Sequence, residues 1–381
     1  MTRRDATKEE EQGSSAIVFE GVSKRYPDGT VAVEHLDLTL PAGELTVLVG
    51  PSGCGKTTTL RMINRLENPS EGRLMIGEQD VMRIDATRLR RRIGYVMQHS
   101  GLFPHHTIAD NIATVPRLLG WNKKRRRERV DELIELVGLE PSLASRYPHQ
   151  LSGGQQQRVG LARALAADPP ILLMDEPFAA VDPIVRHRLQ QEFLDLQRRV
   201  QKTIVMVTHD IDEAMKLGDR VAIFEPGGAV AQFDTPSRLL AAPASDFVID
   251  FIGADRELRR LALKRLDSLT LDSGLTAPFD EVVSRARSYL QQAGSGGIVV
   301  LDSDHAPLGW LGWEQLKRAG DATRLDALDL QPWRHRLYLH DNLRTALNAL
   351  ISAPGEVVPV VNDEGHYVGV IDRLQLTRQL V

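Results

Sequence analysis

Eight residues, Gly50-Pro51-Ser52-Gly53-Cys54-Gly55-Lys56-Thr57, constrain this chain more than any other part of it. They fit the spacing G-x-x-x-x-G-K-[ST], and they stand where that spacing has a mechanism, after the apolar run Leu45–Val49 and before a helical segment, Thr58–Leu66. Glycines let the backbone wrap closely enough for successive N–H groups to point at phosphate oxygens, and the following helix adds the partial positive charge of its N-terminus. Lys56 is expected to bridge the outer two phosphates, Thr57 to hold Mg2+ through its hydroxyl, and Thr58 to complete the nucleotide-contacting set. Cys54, the sole cysteine, lies close to a helix start and to Lys56; both favour the thiolate, so it is expected to be reactive and to be protected by MgATP.

The surroundings of this loop define the fold class. Ile93 to Met97, Ile171–Met174, Ile204–Val207 and Val221–Phe224 are further short apolar runs separated by segments of helical period. Such runs indicate a sheet buried on both faces, hence α/β. At about 99–165 the pattern turns helical, with a capping-box spacing at Thr107–Asp110 and an apolar stripe Val130, Leu133, Ile134, Val137 ending at Gly138. The run Lys123–Arg129 in that insert reads as a solvated face or as a contact for anionic lipid or nucleic acid. Residues 1–15 are polar and expected to be a disordered lead-in, 16–240 the α/β domain, 241–263 a linker. Residues 264–381 carry an internal repeat offset by 60: Val283, Ala286, Leu290, Val300, Gly309 and Leu311 recur as Leu343, Ala346, Leu350, Val360, Gly369 and Ile371. Each copy reads as helix, strand, acidic turn and second strand, so a pair of small α+β modules is expected.

Composition narrows the classes. One cysteine excludes an internally bridged scaffold, and 47 Lys+Arg against 51 Asp+Glu, a net charge of -4, gives no overall field to draw duplex nucleic acid. No nucleic-acid partner is expected. The opening residues have no apolar h-region, and no stretch approaches the roughly 18 apolar residues of a membrane span, so a cytosolic chain is expected.

Two further segments carry chemistry. Asp175 closes the run 171–174, placed to hold Mg2+ through water, and Glu176 points elsewhere, free to orient or deprotonate an attacking water. Leu151-Ser152-Gly153-Gly154-Gln155 opens a helix with capping-box spacing, and its two glycines leave N–H groups approachable, a second anion site in one chain.

With these residues in place the chain resembles the ATPase subunit of an ABC transporter over roughly residues 16–240. Leu151–Gln155 matches that family's signature letter for letter. The resemblance implies that Tyr26 stacks on adenine, that Gln98 is the Q-loop glutamine with a role at the metal and in catalysis, that Asp182 is the D-loop aspartate, and that His209 is the switch histidine. The segment Phe178–Asp182 departs conservatively from the commoner D-loop pattern. The resemblance also implies ATP and Mg2+ as ligands, and a homodimer in which the signature of one copy closes head to tail on the nucleotide of the other.

Gly101–Pro116, Leu118–Trp121 and Asp246–Arg256 are similar to quaternary-amine uptake systems, whose ATPases often end in tandem CBS modules of the size of the 60-residue repeat. That similarity implies integral membrane permease subunits, an extracytoplasmic substrate-binding protein reached indirectly, a peripheral place on the cytoplasmic face of the membrane, and a regulatory tail that senses ionic strength, contacts anionic lipid or binds a cyclic dinucleotide. Gly312, Gln315, Asp372 and Gln375 stand where nucleotide-binding CBS pairs carry phosphate and ribose ligands, so AMP or ATP is not expected there.

Overall fold

The computed structural model describes residues 15–98, 101–179 and 181–378, and the chain divides between Gly253 and Ala254 into two units. The strands of the first are, in chain order, β1 (Ile17–Arg25), β2 (Val31–Leu40), β3 (Leu45–Val49), β4 (Glu71–Ile76), β5 (Gln79–Asp80), β6 (Ile93–Val96), β7 (Ile171–Asp175), β8 (Thr203–Val207), β9 (Arg220–Phe224) and β10 (Val230–Asp234). They make an antiparallel sheet of order β2-β1-β4-β5 and a second sheet of order β10-β9-β3-β8-β7-β6. Every residue of β3, β7 and β8 is buried, which is why these segments read as unbroken apolar runs. Parallel pairing sets Leu48 and Asp175 both opposite Val207, and Val96 opposite Met174. The C-terminal ends of β3, β6, β7 and β8 therefore open on one edge, where ligands bind in open α/β sheets.

Helix α1 (Lys56–Ile63) leaves β3 directly, and α2 (Ala86–Arg91) precedes β6. Between β6 and β7 lie α3 (Ile108–Ile112), α4 (Thr114–Leu118), α5 (Lys123–Leu136) and α6 (Gly153–Leu165). Thr107 caps α3 by accepting from the Asp110 N–H at 3.2 Å, and Val130, Leu133, Ile134 and Val137 are buried, as their spacing requires. Gly94 lets α6 lie against β6: a Cβ there would stand 2.5 Å from the Ala164 carbonyl oxygen. Helices α7 (Pro183–Val200) and α8 (Ile211–Leu217) return the chain to β8 and β9.

The segment 241–263, read from sequence as a linker, is mostly helical. After α9 (Pro236–Ala241), α10 (Asp246–Ile252) buries Val248 and Ile252, whereas α11 (Arg256–Leu263) belongs to the second unit and puts Leu261 into its core. Its apolar residues do not show from sequence which of the two cores each helix joins.

In the second unit the repeat is structural. One copy has β11 (Thr276–Pro278), α12 (Val283–Ala293), β12 (Gly297–Leu301), β13 (Pro307–Gly312) and α13 (Trp313–Arg318). The other has β14 (Leu337–Tyr338), α14 (Leu343–Ile351), β15 (Val357–Val361), β16 (Tyr367–Asp372) and α15 (Arg373–Arg378). Each builds a three-stranded sheet with one parallel and one antiparallel pair, and Val300 opposite Gly309 repeats as Val360 opposite Gly369. The copies interlock. Trp310 of the first copy pairs with Gln331, which leads into the second, and Val370 of the second pairs with Asp272, which leads into the first. Val299, Leu301, Trp310 and Val370 pack together between the sheets.

Candidate active site

The phosphate loop turns sharply between β3 and α1. Gly55 has φ 93°, and a Cβ on it would come within 2.2 Å of the Ala32 carbonyl oxygen, so no other residue fits there. Lys56 is buried, and its ammonium donates to the carbonyls of Gly50 and Pro51, each at 2.8 Å. Cys54 does not match the expectation of a reactive thiol. The Lys56 ammonium does lie 3.5 Å from its sulfur, but the thiol is 2% exposed and packs in the apolar core with residues of β1 and β2.

Thr57 and Asp175 are brought together: the Thr57 hydroxyl donates to Asp175 Oδ1 at 3.1 Å. Burial raises the Asp175 carboxyl above its ordinary value, against the hydrogen bond from Thr57 and the charge of Arg61, which lower it. Tyr95 donates to Asp175 Oδ2 at 3.5 Å, and Arg61 lies 4.0 Å from the same oxygen. Neither was singled out from sequence. Arg61 was accessible to such reasoning, because it stands one helical turn after Thr57 on α1. Tyr95 was not, since β6 meets β7 only in the folded sheet.

Glu176 leaves the strand with φ 47°, a left-handed backbone that side chains other than glycine rarely adopt. Its N–H donates to the Val207 carbonyl at 2.9 Å. This turn separates the two adjacent carboxylates. Asp175 faces Thr57 and Tyr95, while Glu176 Oε2 accepts from the Gln98 amide at 3.1 Å and Oε1 lies 3.2 Å from His209 Nδ1. Gln98 lies just beyond β6 and His209 just beyond β8, so residues following two other strands converge on the carboxylate that follows β7. Tyr26 is half-buried beside α1, its hydroxyl 3.3 Å from the Thr58 hydroxyl and its ring 4.9 Å from the Lys24 ammonium.

Ser152 caps α6 through the expected box: its hydroxyl accepts from the Gln155 N–H at 3.3 Å and its own N–H donates to Gln155 Oε1 at 2.9 Å. Gly153 is exposed and Gly154 half-buried, and no hydrogen bond or ion pair among the described residues joins this segment to the phosphate loop. Asp182 is exposed at the start of α7, where its carbonyl accepts from the Arg186 N–H; Ala180, in the expected D-loop, lies outside the described residues. No cluster of three or more His, Cys, Asp or Glu side chains suited to a metal occurs among the described residues.

A parallel sheet with a Gly-rich loop and lysine after one strand, and a hydroxyl facing a carboxylate from another, defines a P-loop nucleotide-binding domain. Residues 33–179 match the family model described as ABC transporter. The chain is 46% identical over 344 residues to the osmoprotectant import ATP-binding protein OsmV of Salmonella typhimurium, covering 90% of this chain and 89% of that one. To the glycine betaine/carnitine/choline transport ATP-binding protein OpuCA of Bacillus subtilis it is 44% identical over 368 residues, covering 94% and 95%. Among solved structures, a dimeric ATP-binding cassette in a post-hydrolysis state with ADP and Pi aligns with TM-score 0.53 at 35% identity, over 58% of this chain and 98% of that one. CbiO1 of Clostridium perfringens, part of an ABC transporter complex, aligns with TM-score 0.56 at 28% identity, over 61% and 92%. The chain belongs to the ABC transporter ATP-binding family and is a transport ATPase. No helix among the described residues is long and apolar enough to cross a membrane.

Proposed function

We propose that this chain is the ATP-hydrolysing subunit of a bacterial importer of quaternary-amine osmoprotectants such as glycine betaine, choline or carnitine. The observation that carries this reading is the similarity over 90–94% of the chain, second unit included, to ATP-binding proteins named for osmoprotectant, glycine betaine, carnitine and choline transport. In this reading the membrane subunits are separate polypeptides and the chain works peripherally at the cytoplasmic face.

The site supports a division of labour. Lys56 exchanges its two loop carbonyls for the outer phosphates of ATP, with the N–H groups of the loop 50–57 around them, Thr58 alongside, and Tyr26 against the base. The donor set of Thr57 and Asp175, one hydroxyl and one carboxylate of hard oxygen, would suit Mg2+, and Gln98 lines a cavity together with Asp175. Bound there, Mg2+ supplies charge neutralisation on the phosphates. Glu176 accepts the proton of the attacking water, oriented by Gln98 and His209, which already hold both of its oxygens. Ser152, Gly153, Gly154 and Gln155 of one copy close on the nucleotide of a second copy, with Asp182 at the joint, so hydrolysis is a property of the dimer. The interlocked repeat after Gly253 acts as a tandem CBS regulator.

The test is reconstitution with the membrane subunits in liposomes. ATP-driven uptake of glycine betaine, choline or carnitine supports the reading, and uptake of only an unrelated solute class, or no association with a membrane subunit, refutes it. Truncation after Gly253 is expected to leave uptake working while removing its dependence on salt.

A further inference from the structure

His209 reaches Glu176 from an open turn. Its side chain is 64% exposed, and its ring makes one polar contact among the described residues, the 3.2 Å approach of Nδ1 to Glu176 Oε1. A ring so exposed is aimed by the backbone on either side of it more than by packing. Both of its neighbours are fastened to Glu213, in the first turn of α8. On one side the buried Thr208 donates its hydroxyl to the Glu213 carboxylate. On the other, Asp210 Oδ1 accepts from the Glu213 N–H at 3.1 Å. The two neighbours also meet each other, since the Asp210 N–H donates to Thr208 Oγ1 at 3.1 Å.

Glu213 is 5% exposed, and burial pushes its carboxyl above the ordinary range, opposed by hydrogen bonds from Thr208 and Gln190 and by the charge of Arg186. The Gln190 amide donates to Glu213 Oε1 at 2.9 Å, while its side-chain carbonyl accepts from the Lys216 ammonium at 2.9 Å. Arg186 is itself fixed, its guanidinium donating to the Val181 carbonyl at 3.0 Å. Stability does not call for this arrangement, because a buried charge held by polar neighbours gives no net gain over a well-packed apolar group. Nor does the helix end, which Asp210 already caps. What the buried carboxylate supplies is a fixed acceptor for the hydroxyl next to His209.

We propose that Glu213 is a positioning residue for ATP hydrolysis: through Thr208 and Asp210 it fixes the backbone that aims His209 at Glu176. The proposal rests on the role given to His209 above.

Turnover is measured on the full chain with its membrane subunits. Glu213→Gln keeps the size and removes the charge, and kcat is expected to fall about ten- to a hundred-fold, the scale of a hydrogen bond to a charged group or of a displacement of about 1 Å, with KM for ATP unchanged. Thr208→Val is expected to show the same loss, and Thr208→Ser, which restores the hydroxyl, to recover the parent rate. Because Glu213 acts through His209, Glu213→Gln/His209→Ala turns over no more slowly than His209→Ala alone. ATP binding by each variant shows that it is folded; if Glu213→Gln does not bind ATP, the Thr208 pair decides. Parental kcat in Glu213→Gln or Thr208→Val, a Thr208→Ser as slow as Thr208→Val, or losses that multiply in the double variant overturn the proposal, the last marking Glu213 as structural only. Parental turnover by His209→Ala instead refutes the role of His209 itself, and the proposal with it.

Discussion

Both units end strands in helices, yet they spend the polar groups at those joints differently. In the first, Lys56 is held by loop carbonyls and Glu176 by Gln98 and His209, partners that a ligand can replace. In the second, the equivalent joints of the two copies are closed on themselves. Gln315 accepts from the Gly312 N–H at 3.1 Å and donates to the Asp329 carbonyl at 2.8 Å; Asp372 accepts from the Gln375 N–H at 2.6 Å and donates its own N–H back at 3.3 Å. A site for chemistry is thus distinguished less by having polar residues at strand ends than by holding them with exchangeable bonds.

The sharpest way to break this contrast is Glu176→Gln. The amide keeps the size but cannot take a proton, so turnover measured with the membrane subunits should fall about 10²–10⁴-fold while ATP binding persists. Near-parental hydrolysis would remove Glu176 from its role. In the second unit the corresponding blow is structural: Trp310→Ala should cost about 3–5 kcal/mol of that unit's stability. Hydrogen exchange should then rise across 297–318 and not across 45–60, and a rise in both would show that the units do not open independently. Cys54 sharpens the same question, because the sole cysteine lies in the first unit while Trp310, Trp313 and Trp333 lie in the second. Its maleimide labelling should be slow in the folded chain and should not follow the unfolding of Trp310→Ala.

Smaller effects follow at single caps and charges. Ser152→Ala removes the hydroxyl of the α6 cap and should cost about 1 kcal/mol, read as faster exchange in the first turn of α6. Asp175 tests the exchangeable side of the contrast through pH. Burial holds its folded carboxyl above the ordinary aspartate range, so the folded state binds the proton more tightly, and this contribution to stability is lost as pH rises through the folded pKa. Above the pH at which this carboxyl ionises, Asp175→Asn should raise the melting temperature of the nucleotide-free chain and weaken the further rise caused by MgATP. A lower melting temperature without nucleotide would mean that Thr57 and Arg61 more than offset the burial of this charge.

What the sequence determined by itself were the features written in adjacent residues. The phosphate loop, the Ser152 cap, the apolar strands and the 60-residue repeat are local patterns, each set by the preferences of a few neighbouring side chains or by a period. Three features had to wait for tertiary structure. Glu176 and Asp175 take separate partners because a left-handed turn, not strand alternation alone, parts them, and Gln98, Glu176 and His209 meet although 78 residues separate the first two. Cys54 reads from sequence as a reactive thiol beside a helix start and Lys56 and is buried, since it packs with residues of β1 and β2. The segment 241–263 looked like a linker and is helical, because Leu261 finds its core with Leu266, Leu337 and Leu343 far along the chain. In each case the deciding energy is burial or a hydrogen bond between residues distant in sequence, and such terms exist only once the fold has brought those residues together.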